Sequence, residues 1–143
     1  MDLEKYKQDF ATLMEAGFVA VNQYDEDAAT KLFKAAELLS PSHPFPKIGF
    51  GYMHLCKLEL TQAAKMFNDV LAKEPANDMA KAFLGLTLSF NPKEVSKGET
   101  VLKEVGKTTK DPLIKDLTKS AIDFVEKFVK KAPSPAQVQA PKQ

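Results

Sequence analysis

The sequence predicts an all-α protein, a solenoid of about three helix-turn-helix repeats closed by a C-terminal capping helix. Three observations predict it. Apolar residues recur at intervals of three and four along most of the chain, and no stretch alternates with period two for long enough to propose a strand. Turn-forming breaks fall at Gln23-Tyr24-Asp25, Ser40-Pro41-Ser42-His43-Pro44, Glu74-Pro75-Ala76-Asn77, Asn91-Pro92 and Lys110-Asp111-Pro112, with helix-length segments between them. The punctuation also returns in one register. Gly17, Gly51 and Gly85 are separated by 34 and 34 residues, and the same interval links Ala29 to Ala63, Phe33 to Phe67 and Pro41 to Pro75.

The first segment carries Leu3, Tyr6, Phe10, Leu13, Met14 and Val21 at helical spacing. The second opens on Asp25-Glu26-Asp27. Standing just before an apolar-periodic run, these acids read as a cap and a dipole complement rather than as paired catalytic carboxylates. The third segment, with Ile48, Phe50, Tyr52, Met53, Leu55 and Leu58, is apolar almost all round, so it must be buried on every side or expose one face to a partner. The fourth repeats the second, with Ala63, Phe67 and Val70 for Ala29, Phe33 and Ala36. The fifth holds Met79, Phe83, Gly85 and Leu86. In the sixth, Lys97 stands where the interval calls for Ala; one extra residue near Asn91-Pro92 brings Gly98, Leu102 and Val105 into the Ala, aromatic and small positions. The seventh, over 113–131, aligns Ile114, Leu117, Ala121, Phe124 and Phe128 on one face, as expected of a helix that covers the last repeat. Residues 1–131 therefore form one helical domain. Residues 132–143 contain Pro133, Pro135 and Pro141 and one large apolar side chain, Val138; such a tail buries too little to offset ordering and is expected to be disordered.

A glycine inside a helix costs up to about 1 kcal/mol relative to alanine. Three at a fixed period need a packing reason, namely close approach of paired helices.

Composition removes several function classes. The 143 residues carry 20 Lys and no Arg against 19 acids, a formal net charge of +1. Neither a basic stripe nor the bidentate guanidinium fork for phosphates and base edges is present, which argues against a nucleic-acid module and against phosphoryl transfer through an arginine finger. Hydrophobic residues make up 44% and charged ones 27%, as in a soluble globular protein, and no apolar run approaches the ~18 residues of a membrane span. The N-terminal Met1-Asp2-Leu3-Glu4-Lys5-Tyr6 lacks the pattern of a signal peptide. Cys56, the lone cysteine, excludes an internal disulfide and points to a reducing, cytoplasmic setting. Flanked by Leu55 and Leu58, it is expected to be a small buried hydrophobe. His43 and His54 belong to no metal-ligand or triad pattern, and Gly49-Phe50-Gly51 lacks the third glycine of a dinucleotide fingerprint. No cofactor or metal is expected, and nothing makes a case for an enzyme.

The 34-residue register resembles the tetratricopeptide repeat (TPR) family, which places a small residue, Ala, an aromatic, a small residue and Pro at set positions of a helix A–turn–helix B unit. Gly17, Ala29, Phe33, Ala36 and Pro41 fill those places in a first repeat, and Gly51, Ala63, Phe67, Val70 and Pro75 in a second. The resemblance implies that the A helices line a concave groove. By register the groove-facing side chains are then Met14, Phe18 and Val21 in repeat one, Phe45, Ile48, Tyr52 and Leu55 in repeat two, and Met79 and Leu86 with the adjacent Phe83 in repeat three. About half of these are expected to be ordinary core; Phe18, Tyr52, Leu55 and Leu86 are the best candidates for exposure. The resemblance also allows a test of one branch of the family. TPR co-chaperones that clamp a C-terminal carboxylate need Lys, Asn and Arg at places held here by Met14, Phe18, Gly49, Met79 and Phe83, and apolar groups cannot offset desolvation of the anion.

A small repeat protein with an apolar groove resembles the TPR chaperones of bacterial type III secretion. It is closer to the branch that holds the needle subunit than to the branch that holds the translocators. The implied partner is a protein client with an amphipathic or hydrophobic segment; a small co-chaperone is compatible with this, as is a homodimer when no client is bound. A generic adaptor joining two proteins is the alternative outside secretion.

Overall fold

The computed structural model describes residues 6–130. The start of the first predicted segment, including Leu3, and the Pro-rich tail expected at 132–143 lie outside the described residues. The chain forms seven α-helices: α1 (Asp9–Asn22), α2 (Glu26–Leu39), α3 (Phe45–Cys56), α4 (Leu60–Lys73), α5 (Asp78–Ser89), α6 (Val95–Thr108) and α7 (Pro112–Phe124), the last continued by a π-helical segment, Val125–Val129. No strand occurs among the described residues. The architecture is an all-α helical-repeat solenoid. The pairs α1/α2, α3/α4 and α5/α6 are three hairpins, and α7 packs against α6 and α5 as the start of a fourth.

The glycine period has a direct steric cause. A Cβ on Gly17 would collide with the ring of Phe33. One on Gly51 would lie 2.6 and 2.8 Å from the ring of Phe67, and one on Gly85 would lie 2.9 Å from Cγ of Leu102. In each hairpin the A-helix glycine is the seat of the large B-helix side chain. Phe33, Phe67 and Leu102 are fully buried. Phe33 is also approached from the next repeat, where a Cβ on Gly49 would sit 2.8 Å from its ring. Among the described residues no B helix partners α7, and it carries exposed Lys119 and Ser120 near the place the glycine would take.

The third repeat has the one-residue shift. Helices α2, α4 and α6 begin at Glu26, Leu60 and Val95, so the second interval is longer by one, and Gly98, Leu102 and Val105 are buried in register with Ala63, Phe67 and Val70. At Gly98 a Cβ would meet backbone, 2.6 Å from the Gly85 carbonyl oxygen and 2.6 Å from the Ser89 nitrogen. Only glycine lets α5 and α6 cross that closely.

The turns between A and B helices in the first two repeats are near copies. Tyr24 and Leu58 take left-handed φ values of 62° and 58°, 34 residues apart. The N–H of Asp25 donates to the Ala20 carbonyl at 2.9 Å and that of Tyr24 to Val21 at 3.0 Å; Glu59 donates to His54 at 2.9 Å and Leu58 to Leu55 at 2.9 Å. This is the two-bond Schellman closure, with a bulky residue where glycine is usual. In the first turn the next residue caps the following helix: Asp25 accepts from the Ala28 N–H at 3.0 Å, so the acidic cluster is a helix start, as its position implied, whereas the Glu59 side chain makes no such cap bond on α4.

The interhelical contacts fix the curvature. α1 touches α3, α3 touches α5 and α5 touches α7, whereas no comparable contact joins α2 to α4 or α4 to α6 among the described residues. The A helices are therefore gathered on the inner side and the B helices are splayed on the outer. In the first repeat Thr12 and Glu15 are exposed where their equivalents Pro46 and Gly49 are buried.

The seventh helix differs from expectation in its face. The buried line is Ile114, Thr118, Ala121 and Val125, with Leu117 beside it, whereas Phe124 and Phe128 are exposed. Ile114 and Ala121 keep their predicted places. The two phenylalanines sit one position off the buried line and turn toward the inner side, where Phe124 meets Phe90 of the α5 terminus at 5.7 Å.

Candidate functional site

The inner side of the solenoid is a surface of linked aromatic rings. Phe10 packs on His43 at 4.6 Å, His43 on Phe45 at 6.2 Å, Phe45 on Phe18 at 5.6 Å, Phe18 on Tyr52 at 5.4 Å and Tyr52 on Phe83 at 5.4 Å between centroids. These spacings suit tilted and edge-on ring pairs. Phe83 and Phe90 are seven residues apart and so lie on one face of α5. From Phe90 the row continues through Phe124 to Phe128, the last pair at 5.1 Å.

The ten groove positions expected from register divide in two. Phe18, Phe45, Tyr52, Met79, Phe83 and Leu86 are half-buried, each with one side packed on a core cluster and some surface left to solvent. Met14, Val21, Ile48 and Leu55 are buried and belong to the core between helices. Leu55, expected among the exposed, is only 5% accessible because it faces the Phe67 cluster. The row also contains residues that register reasoning did not place: Phe10, His43, Phe90, Phe124 and Phe128. Leu113 follows Phe45 and Met79 at the same 34-residue interval, and it is exposed; that interval was the available signal for a fourth rung.

Tyr52 is the most polar member of the face. Its hydroxyl donates to Oδ1 of Asn22 at 2.7 Å, tying α3 to the end of α1. Burial, and then the Cys56 thiol one turn along, push its phenol up to about 12, so it is a neutral donor. Cys56 is exposed at the end of α3, contrary to the buried role expected of it, because the C-terminal turn rotates it out of the core. Its partly apolar surroundings push the thiol up, which keeps it protonated and poorly nucleophilic.

Ion pairs stand at the ends of the α1–α2 and α3–α4 turns and at the end of the described chain. Lys57 pairs with Glu59 at 2.7 Å and with Glu26 at 2.9 Å, and Nδ1 of His54 lies 2.9 Å from Glu59. Lys57, then His54, hold the Glu59 carboxyl below its ordinary value. At the other end Lys130 pairs with Glu99 at 2.7 Å, and that carboxylate is buried in α6. A largely apolar cleft of about 490 Å³, lined by Tyr6, Leu13, Ala35, Leu38 and Leu39 with Asp9 and Thr12, opens between α1 and α2 outside the aromatic row. No group of His, Cys, Asp and Glu among the described residues is arranged to hold a metal ion, and no helix among them is long and apolar enough to cross a membrane.

Fold and face together define a class: a helical-repeat solenoid with an open aromatic inner surface. No family model, curated protein or solved structure matches the chain.

Proposed function

We propose that the chain is a protein-binding chaperone of the TPR type that holds an amphipathic or hydrophobic segment of a client against its inner face. The observation that carries this reading is the row of half-buried rings on the A helices, with six of the expected groove residues retaining accessible apolar surface. Rigid aromatic side chains bury large area with few rotors, which makes them good anchors for a bound helix or extended segment. No chemistry is needed: a bound client is withdrawn from self-association by mass action. The places where a carboxylate clamp would sit hold Met14, Phe18, Gly49, Met79 and Phe83, which favours an apolar ligand over an anionic terminus.

Size, the apolar A helices and the terminal helix make a cytoplasmic bacterial type III secretion chaperone for the needle subunit our specific reading, with a translocator chaperone of the same system or a generic adaptor as the alternatives. Such a protein is not an enzyme and takes no cofactor. The apolar cleft between α1 and α2 has room for one or two anchoring side chains of a small co-chaperone, and the uncovered face is compatible with a homodimer in the absence of client. The test is affinity purification from the native host with wild type and with Tyr52→Ser/Leu86→Ser, the fold of the variant checked by circular dichroism. A folded variant that loses one small, aggregation-prone partner supports the proposal. A folded variant that retains its native partner overturns it.

A further inference from the structure

We infer that the inner aromatic face is occupied, when no client is present, by the chain's own Pro-rich segment, residues 132–141, acting as an intramolecular competitor; this rests on the reading of that face as the client site. Four observations converge on this occupant. First, the ring row does not stop at the third repeat but runs through Phe90 and Phe124 to Phe128, which is 62% exposed, two residues before the described chain ends. Second, the exit point is fixed. Lys130 reaches the buried Glu99 carboxylate at 2.7 Å and also Glu126 at 3.1 Å, so the following residues start at the end of the row. Third, the ten residues Ala132–Pro141 contain no charge, so they can lie on an apolar surface without desolvating an ion. Fourth, the length fits. Ten residues of polyproline-II chain reach ~31 Å, and four A helices set side by side at about 8–10 Å span ~24–30 Å.

The chemistry is that of proline on aromatic rings. Pro-rich segments dock on aromatic-lined grooves because their extended form is already populated and little entropy is lost on binding. Pro133, Pro135 and Pro141 supply flat apolar faces, and Val138 is the one larger anchor. Small contacts of this kind bind weakly. A weak tether is what a displaceable competitor requires, since a client that covers more surface replaces it.

The test uses the full chain labelled with a nitroxide on Cys56, the lone thiol, which is exposed one helical turn from Tyr52. The amide signals of Gln137–Ala140 should lose intensity relative to the reduced label, and should recover it in Tyr52→Ser/Phe83→Ser. Undiminished amides in the wild-type chain overturn the inference. A second full-length variant, Pro133→Ser/Pro135→Ser/Val138→Ser/Pro141→Ser, leaves the helical domain unaltered. It should bind a synthetic amphipathic peptide with Leu and Phe at i, i+3, i+4 and i+7 about 3–10-fold more tightly than wild type, which corresponds to ~70–90% tail occupancy. Equal affinity of the two chains overturns the inference and leaves the proposed function standing. Binding of the peptide to neither chain counts against the proposed function, and the nitroxide result then decides the tail by itself.

Discussion

Gly51→Ala should destabilise the protein although it improves helix propensity. The added Cβ would lie 2.6 Å from Cε1, 2.8 Å from Cζ and 3.1 Å from Cδ1 of Phe67, where carbon atoms in contact normally stand ~3.5–4.0 Å apart. Phe67 has to retreat by about 1 Å, and it cannot do so freely: it is 0% exposed and stacks on Phe83 at 5.7 Å. Overpacking of a closed core costs about 1–3 kcal/mol, and replacing glycine in a helix returns up to about 1 kcal/mol. The balance is a loss of about 1–2 kcal/mol, or a melting point lower by roughly 3–10 °C for a domain of this size. Urea and thermal unfolding followed by circular dichroism measure it. Phe67→Leu makes room for the new methyl group, so Gly51→Ala/Phe67→Leu should be more stable than the two single changes add up to, with a coupling of about 1 kcal/mol or more. A neutral or stabilising Gly51→Ala, or strict additivity, would refute the steric account of the repeat.

Three further outcomes follow from local structure. Leu58 is 65% exposed and holds a left-handed φ of 58°; because that conformation costs an L-residue about 1–2 kcal/mol and glycine surrenders about 0.5–1 kcal/mol in the unfolded chain, Leu58→Gly should raise the urea midpoint by up to about 1 kcal/mol equivalent. The Tyr52 phenol, held up to about 12 against an ordinary 10, contributes stability that is complete below pH 10 and is lost as pH rises from 10 through 12, so the alkaline unfolding edge should weaken in Tyr52→Phe. The Glu99 side chain is 7% exposed with Oε2 on Lys130 and Oε1 without a partner among the described residues; Glu99→Gln should lower the melting point, whereas Glu99→Leu should lower it less or raise it, since a buried carboxylate carries a desolvation penalty that an apolar replacement removes.

Much of the fold can be read from spacing because the repeat makes the same steric demand three times. The interval between Gly17, Gly51 and Gly85 is the interval between three ring or leucine seats, and the one-residue lengthening before Gly98 is visible in the sequence because the same demand reappears late. The face of a helix is legible for the same reason. What spacing does not show is depth. Met14 and Phe18 are one turn apart on α1, yet one is sealed beneath α2 and the other is left at the surface, since that depends on how far the A helices splay. Cys56 reads as core from its neighbours but stands on the last turn, where the Schellman closure at Leu58 turns the chain away. The exposed pair Phe124 and Phe128 reads as core because both continue a three-and-four spacing; the buried choice of Val125 instead follows from Thr118 and Ala121 packing on α6, and helical spacing cannot rank neighbouring lines of similar hydrophobicity.

The half-buried state of the rings makes the site hard to test, because a side chain that serves both core and ligand reports on both when it is removed. Tyr52 allows the two to be separated. Its ring lies between Phe18 and Phe83, so Tyr52→Ser removes two ring contacts together with the apolar surface offered to a client. Its hydroxyl makes a partly solvated hydrogen bond to Asn22, worth about 0.5–1 kcal/mol. Tyr52→Phe should therefore lower stability by no more than that while keeping the whole apolar face, and an amphipathic peptide should bind it as well as wild type. Tyr52→Ser should fold with a lower midpoint and bind the same peptide more weakly, even under conditions where both variants are fully native. If Tyr52→Phe loses binding while Tyr52→Ser keeps it, the ligand is recognised by a hydrogen bond rather than by the ring, and the aromatic face is not the surface that the client covers.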